Sequence, residues 1–245
     1  MERSHNEVSV LTDDDARGSG VLVAFTDRRG GVSGAPYESL NLAARVGDEA
    51  SAVEENRRRA AAASGFELET LALARQVHGS FVLEVARAEE GMMGHAGVVG
   101  EADVLVARRG GVVLGMLTAD CAPVVLAGSA GVAVVHAGWR GLVSGVIESG
   151  VSSLGEVERA WVGPCIRACC YEVGREVVDA FEERRLPVAG SDRVDIGRAA
   201  TVALRRAKVG DILVSDVCTS CDINFFSHRR DGITGRQGGF VARLR

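Results

Sequence analysis

The chain has 245 residues, of which 47% are hydrophobic and 25% charged, with a formal net charge of −5. That composition is the one expected of a globular protein able to bury a large core without covalent staples. A mildly acidic chain without a long basic run argues against non-specific nucleic-acid binding, so no nucleic-acid partner is expected. No apolar run reaches the roughly 18 residues of a membrane span, so no membrane partner is expected. The polar, acidic start MERSHNEVSVLTDDDARGSG is unlike an export signal. The expectation is therefore a cytoplasmic protein whose six cysteines are reduced thiols. Residues 1–20 are expected to be a flexible or edge-lying terminus, and 21–245 a single catalytic domain.

In chain order, VLVAF (21–25) reads as a strand and the Gly- and Pro-containing TDRRGGVSGAPY after it as a loop. Ser51-Ala52-Val53-Glu54 reads as a capping box opening a helix that Gly65 stops. Arg57 to Arg59 read as a solvated face of that helix. LALARQV and FVLEVA are strands flanking His78-Gly79. The piece 88–101, with His95 in it, reads as a loop. ADVLVA (102–107), VVLGMLT (112–118), PVVLA and VAVVHA are apolar strands of the kind buried on both faces. GLVSGVIESGVSSL (141–154) reads as a helix and RAWVG (159–163) as a strand. YEVGREVVDAFEERR and DIGRAATVALRRAK read as amphipathic helices, the first with Val173, Val177 and Phe181 inward, the second with Ile196, Ala200, Ala203 and Leu204. DILVSD is a strand, and FVARL a final edge strand. Strands and helices mix without strict alternation, which predicts a mixed α/β (α+β) fold with mixed sheets.

The chemistry-bearing residues sit at strand ends in this pattern. His78, Cys121 and His136 offer two imidazoles and a thiolate, the donors zinc prefers, with one coordination position left open. They lie 43 and 15 residues apart, so spacing alone leaves open a buried thiol beside hydrogen-bonded core histidines. Asp120 adjoins the thiolate and could orient a ligand or act as a base, or simply cap a turn. Arg140, in Gly-Trp-Arg-Gly, lies where a guanidinium and free helix amides could meet an anion such as phosphate. Cys218-X-X-Cys221 is half of a zinc ribbon without a second half at standard spacing; Cys165, Cys169 and Cys170 lie far upstream. Phe226 and His228, in FFSHRRDG, could hold a flat base and its sugar, or belong to a packed tail. A metal-free reading pairs Cys121 as nucleophile with His136 as base, giving an amidase or deamidase. A third reading is a non-catalytic zinc-dependent binding module.

Taken together, Gln76-Val-His78-Gly79, Thr118-Ala-Asp120-Cys121 with Pro123, His136-Ala-Gly-Trp-Arg140-Gly141, Gly163-Pro164, Cys169-Cys170-Tyr-Glu-Val-Gly174 and Phe225-Phe226-Ser-His228-Arg-Arg-Asp-Gly232 resemble a known family. Ser39-Leu-Asn41-Leu, Val46-Gly47-Asp48 and Asn56-Arg57 fit it too. It is the family once called multicopper polyphenol oxidases, or laccase-domain proteins, and now regarded as purine nucleoside phosphorylases with adenosine deaminase side activity. The resemblance implies an α/β/β/α layered sandwich like bacterial toxin Cys-His deamidase domains. It implies one Zn2+ per chain on His78, Cys121 and His136, with Asp120, Cys121 and Arg140 catalytic. Asn41, Arg57, Arg140, Phe226 and His228 would bind substrate. The partners would be phosphate and a purine nucleoside (adenosine, inosine, guanosine or methylthioadenosine), the chain a monomer or weak homo-oligomer. Arg45, Arg167-Ala168 and Gly238-Gly239 depart from the family pattern. Copper is possible but not favoured, because five histidines are too few for a blue-copper site plus a trinuclear cluster.

Overall fold

The computed structural model describes residues 1–5, 8–86 and 98–244, residues 2–5 through their backbone alone. His95 lies outside them. The chain opens with strands β1 (Glu2–His5), β2 (Ser9–Thr12) and β3 (Val21–Thr26), with helix α1 (Asp14–Gly18) before the last. Helix α2 (Ala50–Ser64) precedes β4 (Leu71–Arg75), β5 (Val82–Glu84), β6 (Val98–Glu101), β7 (Val104–Ala107), β8 (Val113–Thr118), β9 (Ala122–Gly128) and β10 (Gly131–Ala137). Helices α3 (Trp139–Val143) and α4 (Val146–Leu154) lead into β11 (Arg159–Val162), followed by α5 (Arg175–Glu183), the short pair β12 (Val188–Ala189) and β13 (Arg193–Val194), and α6 (Ile196–Arg206). Strand β14 (Asp211–Val214), helix α7 (His228–Asp231) and strand β15 (Gln237–Arg243) close the chain.

These strands form two large mixed sheets, a seven-stranded one ordered β1-β2-β3-β15-β8-β4-β6 and a six-stranded one ordered β14-β11-β9-β10-β7-β5. Side-chain alternation along the strands divides the core into layers. On β10, Val132 and Val134 pack toward the larger sheet with Leu114, Met116, Phe25 and Val241. Ala133, Val135 and Ala137 face the other way, against α4 and α6. The outer face of the larger sheet buries Leu22, Leu71, Leu73 and Phe240 with Ala60 of α2. The result is an α/β/β/α stack. Among the described residues no helix is long and apolar enough to cross a membrane.

Several local expectations are corrected. The cap of α2 is Glu49, and Ser51 makes no capping bond; the turn is held instead by Asp48, whose Oδ1 accepts from Glu49 N. Residues 98–101 form a strand rather than a loop. The helix read over 141–154 begins at Trp139 and breaks at Gly145, whose φ of +83° an L side chain rarely adopts. Helix α5 starts after Gly174, so Tyr171 to Val173 precede it; Glu172 bridges to Arg193 and Val173 N donates to Asp192 O. The last strand is not an edge: β15 lies between β3 and β8. Its glycines explain the placement, because a Cβ on Gly239 would lie 2.6 Å from Pro123 of the facing sheet.

Candidate metal centre

Strands β4, β6 and β8 run parallel within the larger sheet. Each is followed by a strand of the smaller sheet, β5, β7 and β9 respectively. Three crossovers therefore leave the same end of one sheet for the other. The first carries His78, the second Asp103 and the third Asp120 and Cys121. Strand β10, antiparallel to β7 and β9, ends among them and brings His136.

The donor atoms of His78, Cys121 and His136 all lie within 4.8 Å of one another. The two imidazole rings meet edge to face with centroids 4.7 Å apart. Behind them stands Asp103, fully buried, whose Oδ1 lies 2.8 Å from His136 Nδ1. The same carboxylate accepts the amides of His78 at 2.9 Å and Gly79 at 2.7 Å, so it fixes both histidine-bearing segments. Burial pushes the Asp103 carboxyl up, but the bonds from His136, Gly79 and His78 outweigh it and hold it below the usual carboxylate range. With Nδ1 committed, His136 has Nε2 left for a ligand, the usual arrangement of a metal-bound imidazole backed by a carboxylate. Burial alone would raise the Cys121 thiol, yet the charge and hydrogen bonds of His136 and the contact with His78 bring it down to about 6. Burial would likewise lower His136, but the Cys121 thiolate and Asp103 raise it to about 9. A thiolate and two imidazoles within reach of one point fit a transition metal. Gly138 closes the site: a Cβ there would stand 2.9 Å from Cys121 Sγ.

The carboxylate that meets His136 is that of Asp103, while Asp120 makes other contacts. Asp120 accepts Thr219 Oγ1 and the Arg229 amide, both at 2.7 Å, and so ties the ligand turn to the 215–231 loop. Both His78 and Asp120 have positive φ, 60° and 96°, backbone strain concentrated in the crossovers beside the proposed ligands.

The other predicted residues divide into two groups. Asn41 is fully buried and its amide is used within the protein: Nδ2 donates to Ala43 O and Asp48 Oδ2, and Oδ1 accepts from the Ala43 and Arg236 amides. Arg57, expected on a solvated face, points inward and donates to Leu42 O, burial lowering it to about 10. Phe226 is wholly buried under Arg28, its backbone held at both ends by the Gln237 amide. All three are engaged within the protein, holding the loops they belong to. Arg140 and His228 are exposed. The Arg140 guanidinium lies 4.3 Å over Trp139, and His228 Nδ1 donates to Gly232 O at 2.6 Å.

Sequence reasoning passed over Asp103 and Arg236, and met Arg229 only as one of the basic residues of FFSHRRDG. Asp103 carried a signal in Ala-Asp-Val-Leu-Val: a carboxylate opening a wholly apolar strand requires partners. The Arg229 guanidinium lies 5.0 Å over Tyr171, whose hydroxyl is raised by burial and by the Cys121 charge. Burial lowers Arg236, whose charge interacts favourably with Cys121 and Asp120.

A family model described as multi-copper polyphenol oxidoreductase laccase matches residues 22–244. The chain is 39% identical over 235 residues to purine nucleoside phosphorylase YfiH of Shigella flexneri, covering 91% of this chain and 93% of that one. It is 42% identical over 234 residues to a purine nucleoside phosphorylase of Deinococcus radiodurans, covering 89% and 87%. The crystal structure of YlmD from Geobacillus stearothermophilus superimposes with a TM-score of 0.84 at 33% identity over 93% of each chain.

Proposed function

The chain belongs to the family described as multi-copper polyphenol oxidoreductase laccase, and on that premise we propose that it is a zinc-dependent purine nucleoside phosphorylase. The observation that carries the reading is the convergence of His78, Cys121 and His136, backed by Asp103, in a chain so similar to proteins bearing that name. In phosphorolysis a phosphate oxygen bonds to C1′ as the bond from C1′ to the purine nitrogen breaks. The products are ribose 1-phosphate and the base, which takes up a proton. Zinc held by the three ligands would supply Lewis acidity at the open position.

The chain's own residues supply the anion site. Arg140 and Arg229 stack on Trp139 and Tyr171, and among the described residues neither guanidinium is engaged in a hydrogen bond or ion pair. Their N–H edges suit phosphate, and their charge favours the anion in the transition state. Asp120 holds the Arg229 segment in place through its amide. His228, exposed on the same segment, is proposed to contact the nucleoside. The substrates proposed are adenosine, inosine, guanosine and methylthioadenosine, with hydrolytic deamination of adenosine as a second activity.

A second reading draws on the line Cys121–His136–Asp103, in which a thiol lowered to about 6 adjoins a histidine oriented by a buried carboxylate. That arrangement suits a metal-free cysteine hydrolase. One experiment separates the readings. Purified protein is incubated with adenosine, with and without phosphate, and base, ribose 1-phosphate and inosine are resolved by chromatography beside bound-metal analysis. Phosphate-dependent base release that His136→Ala abolishes together with zinc binding supports the phosphorylase. Inosine alone makes deamination the main reaction. Inosine formed from adenosine by fully chelated protein overturns the zinc reading in favour of the cysteine nucleophile.

A further inference from the structure

The expectation that Cys218-X-X-Cys221 lacks partners is overturned by the fold. Strands β11 and β14 are parallel neighbours, and their pairing continues past Val162↔Val214 to a bridge between Cys165 and Cys218. The segments that follow therefore emerge side by side. The first turns at Arg167, whose carbonyl accepts the amides of Cys170 and Tyr171. The second turns at Cys218, whose carbonyl accepts the amides of Cys221 and Asp222. The two turns face each other and bring Cys169, Cys170, Cys218 and Cys221 together, their sulfur atoms all within 4.8 Å of one another.

From this geometry we infer that Cys169, Cys170, Cys218 and Cys221 form a second, structural zinc site. A tetrahedral Zn–S bond of about 2.3 Å places the four sulfurs about 3.8 Å apart, the scale of this cluster. Cys221 Sγ lies 3.5 Å from Cys169 Sγ and 3.2 Å from Cys170 Sγ, far beyond a disulfide bond, and all four are free thiols. Four soft donors with no open position describe a closed structural site, in contrast to the three-ligand set at Cys121. Cys218-X-X-Cys221 has the ligand spacing that such turns use, and the adjacent pair Cys169-Cys170 takes the place of a second such turn. Cys165 stays outside the set, buried in the core beneath it.

The site would brace the loops that reach the other metal centre. Tyr171 follows Cys170 directly, and Thr219, which donates to Asp120, lies between Cys218 and Cys221. Arg230 donates to the carbonyls of Thr219, Ser220, Asp222 and Phe225, carrying the same turn on to Arg229. One ion would thus fix the spacing between Tyr171 and Arg229 and keep Asp120 clamped, without touching substrate.

The inference is independent of the phosphorylase reading and is tested by metal counting. Full-length protein is purified with zinc and thiol reductant, desalted, and its zinc measured per chain. About two ions are expected in the unaltered chain and about one in either Cys121→Ala or Cys169→Ser/Cys221→Ser. The serine pair replaces exposed sulfurs, which limits the damage to the core. As a measurement that leaves the cluster intact, Cys121→Ala is stripped and loaded with cobalt. A strong thiolate-to-cobalt charge-transfer absorption with the intense visible bands of a four-thiolate tetrahedron supports the site. Zinc stoichiometry unchanged by Cys169→Ser/Cys221→Ser, absence of those cobalt bands, or cluster thiols found cross-linked as disulfides in the reduced preparation would each overturn it.

Discussion

Asp103 commits one carboxylate to four neighbours: the His136 ring and the amides of Val77, His78 and Gly79. Asp103→Asn keeps the volume but turns an NH2 toward groups that donate, so His136 loses its fixed tautomer. Metal affinity at the three-ligand site should fall about 10–100-fold, the usual cost of removing such a partner. Competition with a chelating dye reads this directly, and unchanged affinity would remove Asp103 from its assigned role. Gly138→Ala probes the same site by shape. Gly138 has φ −85°, which alanine adopts freely, but its Cβ would press on Cys121 Sγ at 2.9 Å and His78 Cδ2 at 3.3 Å. The melting temperature of the stripped protein should hardly move while zinc affinity drops; equal losses in both would mean the glycine serves packing alone. The three candidate ligands were marked in the sequence by the family resemblance of the motifs around them, since their spacing alone left a buried thiol and hydrogen-bonded core histidines open. For Asp103 the sequence showed at most a carboxylate in need of partners, because nothing local says that residue 103 will stand opposite residue 136.

At the scale of elements, α1 and β11 are joined across 148 residues by one side chain, Asp13. Its Oδ1 caps α1 by accepting the Ala16 amide, and its Oδ2 accepts the indole N–H of Trp161 on the other sheet. Burial raises the Asp13 carboxyl, but these two bonds, with the positive charges of the chain's N-terminus and Arg159, more than offset it, and the group sits below its ordinary value. A carboxyl lowered by folding stabilises the protein fully above its unfolded pKa, and that contribution disappears as pH falls through the lower folded value. Acid unfolding followed by tryptophan fluorescence should therefore show Asp13-dependent stability draining away below about pH 4. Asp13→Ala should cost about 2–4 kcal/mol at neutral pH, from a lost cap and an unpaired buried indole, and flatten that acid limb. A variant with the parent's acid limb would show that Asp13 does not couple the sheets. Element types were largely readable from periodicity. Their limits failed where a single residue decides: Gly145 splits one helix, Gly174 delays another, and Asp48 displaces Ser51 at the start of α2.

At the scale of the whole molecule, the runs 102–107, 112–118 and 122–137 are plainly strands in the sequence, yet nothing in them says that successive members belong to alternate sheets. That alternation is set by which faces can be buried together, a long-range property with no local mark. It also hid the centrality of β15, which reads in the sequence as an edge strand, and the meeting of Cys169-Cys170 with Cys218 and Cys221. The same alternation makes the three-ligand centre a clasp. His78 and Cys121 lie on crossovers between the sheets, and His136 ends a strand of one of them. A metal bound to all three spans the seam that Leu114, Val125 and Val134 fill farther in. Binding to the folded state alone stabilises by about 4 kcal/mol at a thousandfold excess over the dissociation constant. In a chain of this size that is a shift of about 8–16 °C in melting temperature. The Cys169→Ser/Cys221→Ser background isolates the effect from the cysteine cluster. Chelation there should lower the melting temperature by this amount, zinc should restore it, and adding Cys121→Ala should remove the response. If chelation leaves melting unchanged while zinc demonstrably departs, the ion does not hold the two sheets together, and the crossovers meet through packing and Asp103 alone.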